Sequence, residues 1–136
     1  MPNAYIAGTG FYVPPKIITN SELSQYMDTT DEWIQERTGI QERRFAEKGV
    51  GPSDLAIPAT KQALESAGLS IKDIDFMIFA TSTPDYYIPG SGCLLQEKMD
   101  MNKIGALDIR VQCSGVIYGL SIAEQYIKTG TFKNIL

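Results

Sequence analysis

Apolar residues recur along the chain with two periods, and segments of the two kinds alternate. Continuous or alternating apolar stretches predict strands over residues 4–12, 40–45, 75–81 and 104–111, and the opening of another over 132–136. Helical spacing between recognisable end signals predicts helices over about 20–27, 29–38, 53–67, 91–101 and 114–129. Strands that alternate with helices predict an α/β fold, with a mostly parallel sheet flanked by helices.

Several predicted helices carry signals at or near their first turn. Asn20 or Ser21 is expected to cap the first helix, and Thr29 with Glu32 has capping-box spacing for the second. Pro58 lies just past the first turn of the 53–67 helix, so we expect a kink or a later start there.

Two apolar stretches have the composition of strands inside a sheet. Residues 76–80 are all apolar, which predicts burial on both faces. Residues 132–136 read as the start of a similar strand, and the sequence stops at Leu136. A strand cut short there would leave backbone N–H and C=O groups of the adjacent strands without partners. We therefore expect residues 1–136 to be one truncated half-domain of a larger fold.

Composition and charge narrow the class of protein. The chain has 136 residues, 43% of them hydrophobic, and a net charge of −4, as expected of a single globular domain. A mild acidic excess argues against a basic surface for binding nucleic acid or an anionic membrane. No apolar run is long enough to span a membrane. The first residues also lack the pattern of a secretory signal. We expect neither nucleic acid nor membrane as a partner.

Histidine is absent from the sequence, and cysteine occurs twice, at Cys93 and Cys113. Without histidine, this chain alone cannot form a Ser-His-Asp site, a Cys-His site or a histidine-containing zinc site. Two cysteines are too few for a four-thiolate site, so no metal is expected. Two reduced thiols favour a cytoplasmic location over a disulfide-bonded secreted protein.

Cys113 is the candidate nucleophile, because it lies between a predicted strand and the helix that begins at Ser114. A thiol at a helix N-terminus meets the positive end of the helix dipole and free N–H groups, which favour the nucleophilic thiolate. The same N–H groups can hold an oxyanion formed on a thioester carbonyl. Because Gly115 has no Cβ, the first turn of the helix leaves room for a substrate. A buried structural cysteine is the alternative.

Two other motifs favour structural roles. Cys93 has apolar neighbours, which predicts packing in the core. Gly8-Thr9-Gly10 resembles the start of a dinucleotide fingerprint, but Pro14 and Pro15 follow and no helix begins there. The glycines favour a tight bend or a close backbone approach instead.

Trp33 and Arg37 lie four residues apart and therefore share one face of the predicted 29–38 helix. A flat ring beside a guanidinium can stack an adenine and hold a phosphate. The alternative is an ordinary half-buried tryptophan beside a solvated arginine.

The strand that precedes Cys113 has one polar face, formed by Asp108, Arg110 and Gln112. Such a face predicts contact with water, with a partner subunit, or an internal ion pair between Asp108 and Arg110.

Several segments together resemble one family. Residues 29–34 (Thr-Thr-Asp-Glu-Trp-Ile), 37–40 (Arg-Thr-Gly-Ile) and 112–115 (Gln-Cys-Ser-Gly) are similar to signatures of β-ketoacyl-acyl-carrier-protein synthase III. The segments 6–10, 12–14, 42–43 and 80–82 and the residue Asp108 are similar to that family as well. These motifs span almost the whole chain at consistent spacing.

The resemblance implies a thiolase-like fold, of which this chain is the incomplete amino-terminal half, in a homodimeric enzyme. It implies an acyltransferase that moves an acyl group from coenzyme A to a cysteine and condenses it with malonyl-acyl-carrier protein. Coenzyme A thioester is then a substrate, and no cofactor is implied. Carried over by position, the site residues are the nucleophile Cys113, the coenzyme A contacts Trp33, Arg37 and Thr29, and the acyl-pocket residues Ser82 and Ile88.

The resemblance also implies a catalytic His and Asn in the second half, which stabilise the enolate formed by decarboxylation. Because this sequence contains no histidine, we expect residues 1–136 by themselves to accept the acyl group but not to catalyse the condensation.

Three positions depart from the family pattern. Ile88 stands where several members carry an aromatic residue, which predicts room for a longer or branched acyl group, and it would reach across the dimer into the partner's site. Arg110 and Gln112 stand where many members have small residues. Since the resemblance puts their strand near the dimer axis, Arg110 is expected at the interface or in a buried ion pair.

Three alternatives stay open. One is a same-fold relative that condenses two acyl-CoAs, makes a secondary metabolite or forms hydroxymethylglutaryl-CoA. Another is a non-catalytic acyl-CoA-binding module, which would need no nucleophile. A nucleotide-binding Rossmann domain is less favoured because the glycine fingerprint is incomplete.

Overall fold

The computed structural model describes residues 3–136, which divide into two compact units. The smaller unit is Val13–Val50, and the larger unit comprises the residues up to Tyr12 together with Gly51–Leu136.

The smaller unit contains two short strands and two helices. Strands β1 (Lys16–Thr19) and β2 (Glu42–Phe45) pair antiparallel, with helices α1 (Asn20–Leu23) and α2 (Asp31–Thr38) between them in the chain. The predicted strand over 40–45 and the end of α2 before Gly39, which has a φ of 70°, are confirmed.

The residues predicted to cap the two helices of the smaller unit, Asn20 or Ser21 and Thr29, are not the ones that cap them. Thr19 caps α1, because its hydroxyl accepts from the Glu22 N–H (3.2 Å) and its own N–H donates to the Glu22 carboxylate (2.8 Å). Helix α1 therefore starts at Asn20 and ends at Leu23, well before residue 27. Thr30 caps α2 by accepting from the Trp33 N–H at 3.1 Å.

The larger unit contains a parallel pair of strands with helices packed against it. Strands β3 (Phe76–Ala80) and β4 (Gly105–Ile109) are parallel and in register. Leu136 extends this sheet beyond β3, since its N–H donates to the Phe76 carbonyl at 3.0 Å and its carbonyl accepts from Ile78 at 2.8 Å. The helices are α3 (Pro52–Ala67), α4 (Ser91–Lys98) and α5 (Gly115–Lys128). The predicted parallel sheet is confirmed.

Apolar side chains from several of these elements form one core. Its buried members are Leu64, Ile74, Met77, Leu95 and Met101. Within β3 only Met77 is buried, at 1% exposure, so the prediction that the whole strand is covered on both faces does not hold in this chain.

The segment 4–12 was expected to be a strand, and the structure assigns it none. Its backbone instead lies so close to α3 that a Cβ on Gly8 would overlap the Ala63 carbonyl and a Cβ on Gly10 would overlap the Ala59 carbonyl. The expected close approach at these glycines is therefore confirmed. Pro58 does not delay the start of α3, which begins at Pro52 and continues through it.

None of the helices in the described part of the chain combines the length and the apolar character that crossing a membrane requires.

Candidate functional site

Cys113 lies in a single 3₁₀ turn, Gln112–Ser114, that joins β4 to the first residue of α5. The thiol side chain is exposed, so the alternative of a buried structural cysteine is wrong for this chain. Gln112 has a φ of 48°, a left-handed conformation that non-glycine residues adopt at a cost. This tight turn places the thiol at the N-terminal end of a helix of 14 residues, as the sequence predicts.

The structure gives a further explanation for glycine at position 115, which the sequence did not reveal. A Cβ at this position would lie 2.9 Å from the Cβ of Ala80, the last residue of β3. Glycine therefore lets α5 begin directly against the end of the parallel sheet.

Ser82 and Ile88 both lie on the loop 81–90 between β3 and α4, and both are exposed. Ile88 is 89% exposed, the largest value among the described large hydrophobic residues. An isoleucine that no described residue covers agrees with its expected role at a pocket or an interface, a role that stays a prediction.

The expected ion pair between Asp108 and Arg110 is absent from the described residues. The Asp108 carboxylate accepts instead from the backbone N–H groups of Ser91 (2.7 Å) and Gly92 (3.2 Å) at the start of α4. The Arg110 guanidinium lies 4.6 Å from the ring centroid of Tyr87 and donates to the Tyr87 carbonyl at 3.4 Å. Asp108 is thus committed to backbone donors. Because Arg110 is exposed, a buried ion pair is wrong for it, whereas an interface role stays a prediction.

Trp33 and Arg37 meet on one face of α2 as expected. The guanidinium carbon of Arg37 lies 4.8 Å from the centroid of the indole ring, which is 53% exposed. Thr29 precedes α2, and its hydroxyl is buried without a hydrogen-bond partner among the described residues. A buried hydroxyl without a partner is costly, so this atom suits a ligand that would supply one.

Asn20 is a residue of this region whose importance the sequence did not signal beyond a cap. Its side chain is 1% exposed and donates to the Asp31 carboxylate (2.6 Å) and the Ile40 carbonyl (2.8 Å), while accepting from Arg43. Hydrogen bonds from Gln35 and then from Asn20 hold the pKa of Asp31 below its ordinary value. The buried amide thus connects Asp31, the first residue of α2, to Arg43 of β2.

Cys93 is exposed on α4, so its predicted place in the core is wrong. Leu95, two residues later, takes the buried position at 2% exposure. Residues two apart on a helix point in different directions, which explains why apolar neighbours in sequence did not bury this thiol.

The parallel sheet of β3 and β4, with helices packed against it and Cys113 in the turn that opens α5, has the thiolase-like fold of the solved structures that superpose on it. Residues 107–136 match the family described as 3-oxoacyl-[acyl-carrier-protein (ACP)] synthase III. Over its own length, the chain is similar to proteins of the β-ketoacyl-[acyl-carrier-protein] synthase III family.

Similarity to members of this family extends over almost the whole chain. The chain is 50% identical over 133 residues to β-ketoacyl-[acyl-carrier-protein] synthase III of Caldanaerobacter subterraneus, covering 98% of the chain and 40% of the relative. It is 47% identical over 134 residues to synthase III 1 of Bacillus anthracis, covering 98% and 43%. The crystal structure of the Aquifex aeolicus VF5 synthase III superposes with a TM-score of 0.89 at 44% identity, covering 96% of this chain and 42% of that one. The chain thus spans about two fifths of the length of these relatives.

Proposed function

We propose that this chain provides the nucleophile of an acyltransferase that starts fatty-acid synthesis, by taking an acyl group from acyl-CoA and condensing it with malonyl-acyl-carrier protein. The observation that carries the proposal is the exposed Cys113 thiol in the turn that opens α5. The curated relatives named above carry the name of this activity, and the chain covers only part of their length.

The first half-reaction needs a thiolate and a place for negative charge. The Cys113 sulfur attacks the thioester carbonyl, and the electron pair of the C=O bond moves to oxygen, where N–H groups at a helix start can stabilise it. Collapse of this tetrahedral species breaks the bond to the coenzyme A sulfur, which leaves as a thiolate and takes a proton. The product is an acyl-cysteine at Cys113.

Residues of α2 serve the nucleotide end of coenzyme A in this proposal. The Trp33 ring offers a flat exposed surface for the adenine, and the adjacent Arg37 guanidinium suits a phosphate. The buried Thr29 hydroxyl, which lacks a partner among the described residues, would hydrogen-bond the same ligand.

The second half-reaction needs groups that this sequence does not contain. Loss of carbon dioxide from a malonyl thioester leaves a carbanion-like enolate, which hydrogen-bond donors must stabilise. The family resemblance assigns that task to a His and an Asn, and the sequence has no histidine. We therefore propose that these 136 residues can form the acyl-cysteine but cannot complete the condensation by themselves.

The acyl group is proposed to contact the loop 81–90, through Ser82 and through Ile88, which would reach across a homodimer. Isoleucine is smaller and more flexible than an aromatic ring, so it would admit longer or branched acyl groups. A cytoplasmic location and the absence of membrane and nucleic-acid partners complete the proposal.

Mass spectrometry of the complete polypeptide that contains this sequence tests the nucleophile. After incubation with acetyl-CoA and denaturation, we expect one acetyl adduct, which is lost in Cys113→Ala and retained in the matched control Cys93→Ala. Both cysteines are exposed, so the control separates a specific nucleophile from general thiol reactivity.

Three outcomes would each overturn a part of the proposal. An adduct that survives Cys113→Ala would place the chemistry elsewhere. Acyl-CoA binding without any adduct, detected by isothermal titration calorimetry, would instead indicate a non-catalytic binding module. Condensation of the acyl-cysteine with a second acyl-CoA, and not with malonyl-acyl-carrier protein, would identify a related enzyme of the same fold.

A further inference from the structure

The loop 81–90 has no regular secondary structure, yet a buried hydrogen-bond network holds its middle. The Asp85 carboxylate accepts from the backbone N–H (3.1 Å) and the hydroxyl (2.8 Å) of Ser53, at the start of α3. The Asp85 N–H donates to the hydroxyl of Ser91, at the start of α4, at 3.0 Å. Both serines are 0% exposed. Asp85 therefore joins the loop to two helices through fully buried groups.

The end of the loop is held by the strand that leads to the nucleophile. Asp108 of β4 accepts from the Ser91 N–H at 2.7 Å, and a Cβ on Gly90 would lie 2.8 Å from its carboxyl carbon. Gly90 has a φ of 105°, which glycine adopts without the strain that other residues incur. Ser91 thus bonds to Asp85 through its side chain and to Asp108 through its backbone.

The surroundings of Asp85 fit a carboxylate. A Cβ on Gly51 would overlap the Asp85 carboxylate, so the chain passes very close to it. The Lys98 ammonium donates to the Ser53 hydroxyl at 2.8 Å, which leaves that hydroxyl's proton for Asp85. Burial raises the pKa of Asp85, but hydrogen bonds from Ser91 and Ser53 outweigh it, so the pKa lies below its ordinary value.

Asp85 stands midway between the two residues proposed to contact the acyl group, three positions after Ser82 and three before Ile88. Since the loop lacks sheet hydrogen bonds, side-chain bonds such as these decide where its backbone lies. A shift of the loop would move Ser82 and Ile88 and leave the nucleophile's own turn in place.

We propose that Asp85 is a positioning residue, which fixes the loop 81–90 through Ser53 and Ser91 and thereby sets which acyl groups Cys113 accepts. This inference rests on the proposed function. It adds a residue that does not touch the acyl group and acts through the backbone of the loop that does.

A competition experiment on the complete polypeptide tests the inference. The protein is mixed with equal amounts of acetyl-CoA and octanoyl-CoA, and the ratio of the two adducts on Cys113 is measured by mass spectrometry. Hydrogen bonds to a charged group are strong enough that losing them should change this ratio by about tenfold in Asp85→Asn and Asp85→Ala. Ser53→Ala removes one donor and should shift the ratio in the same direction by less.

The adduct ratio is a readout that simple destabilisation would not move. Both adducts form on the same folded molecules, so the ratio does not depend on how much protein is folded. Asp75→Asn is the matched control, because the Asp75 carboxylate also accepts from two backbone N–H groups, of Lys133 (3.0 Å) and Asn134 (2.9 Å). We expect this control to lower stability and leave the ratio unchanged.

The possible results separate this inference from the proposed function. A wild-type ratio in Asp85→Asn and Asp85→Ala, with adducts still on Cys113, overturns the inference alone. An equal change in Asp75→Asn also overturns it, since the effect would then follow stability. If the Asp85 variants do not fold, an unchanged ratio in Ser53→Ala rejects the inference. Absence of any wild-type adduct would reject the proposed function and this inference with it.

Discussion

In the larger unit, buried apolar side chains from two helices, a strand and the connecting segments form a continuous cluster around Met77. In the smaller unit, the most buried side chain among the described residues is the amide of Asn20, at 1% exposure, ahead of Ile18 at 3% and Ile34 at 7%. The smaller unit has fewer residues from which to build an apolar core, and short segments bury a smaller share of their surface. Its helix α2 is therefore placed largely by directional hydrogen bonds.

The two units use different chemistry to place their candidate site elements. In the smaller unit a neutral amide, Asn20, accepts from one side and donates to the other, which connects α2 to β2. In the larger unit a carboxylate, Asp85, accepts from donors on a neighbouring helix. A carboxylate needs donors all round it, whereas an amide can link a donor to an acceptor. The choice of residue follows from which groups the neighbouring backbone presents.

The largest effect of a single substitution is expected in the apolar core of the larger unit. Met77→Ala should lower the free energy of unfolding by about 2–5 kcal/mol, because it removes a buried side chain and leaves a cavity. Urea unfolding followed by circular dichroism measures the change. Met27→Ala is the control, since Met27 is 55% exposed in the smaller unit and should alter stability by less than about 0.5 kcal/mol. Equal losses in the two variants would contradict the contrast.

Asn20→Ala should have the next largest effect, centred on the smaller unit. The substitution strips Asp31, Ile40 and Arg43 of their shared partner, which should cost about 1–3 kcal/mol. Hydrogen exchange read by mass spectrometry should show faster exchange in α2 and β2 than in β3 and β4. If α2 binds coenzyme A as proposed, this variant should also bind it more weakly, as measured by isothermal titration calorimetry.

Ser21→Ala is the matched control for that experiment. Ser21 is the next residue of α1 and is exposed, and its hydroxyl makes no hydrogen bond within the described part of the chain. Its substitution should leave exchange and binding unchanged. Uniform acceleration of exchange in Asn20→Ala, equal in all four elements, would show that the amide does not act on α2 in particular.

The sequence predicted the parts of this chain that local rules decide. The ends of α2 at Gly39 and of α3 at Gly68 follow from glycine, whose φ is positive at both positions. The position of Cys113 between a strand and a helix follows from the change of period at that point. The parallel pairing of β3 and β4 follows from the helix that separates them.

What the sequence did not predict depends on contacts between distant residues. Thr29 and Thr30 both precede α2, and only the three-dimensional path of the chain decides which hydroxyl meets an N–H group. Asp108 and Arg110 share a strand face, but the Asp108 carboxylate accepts from backbone N–H groups at the start of α4 and not from Arg110. The segment 4–12 has a strand-like composition, yet its glycines allow it to lie on a helix. In each case a partner far along the sequence outweighed the local pattern.

Acid should produce the smallest of the three effects, and both units should contribute to it. Hydrogen bonds from Lys98 and from the Gly51 N–H lower the pKa of Asp54 in the larger unit below its ordinary value, and the pKa of Asp31 in the smaller unit is lowered too. A carboxylate with a lowered pKa in the folded state adds stability above its unfolded pKa, and this stability is lost as the pH falls through the folded value. Stability should therefore decline once the pH falls below about 4.

The dependence of this acid effect on salt should distinguish the contribution of the larger unit from that of the smaller unit. The bond between Lys98 and Asp54 is an ion pair of 2.5 Å near the surface, so added salt should weaken it, whereas the amide bonds to Asp31 carry no opposing charge. In urea unfolding at pH 7 and pH 3, Asp54→Asn should reduce the difference in stability more at low salt than at high salt. Asp31→Asn should reduce it equally at both. The reverse pattern would mean that the smaller unit, and not the larger one, depends on charge for the placement of its helix.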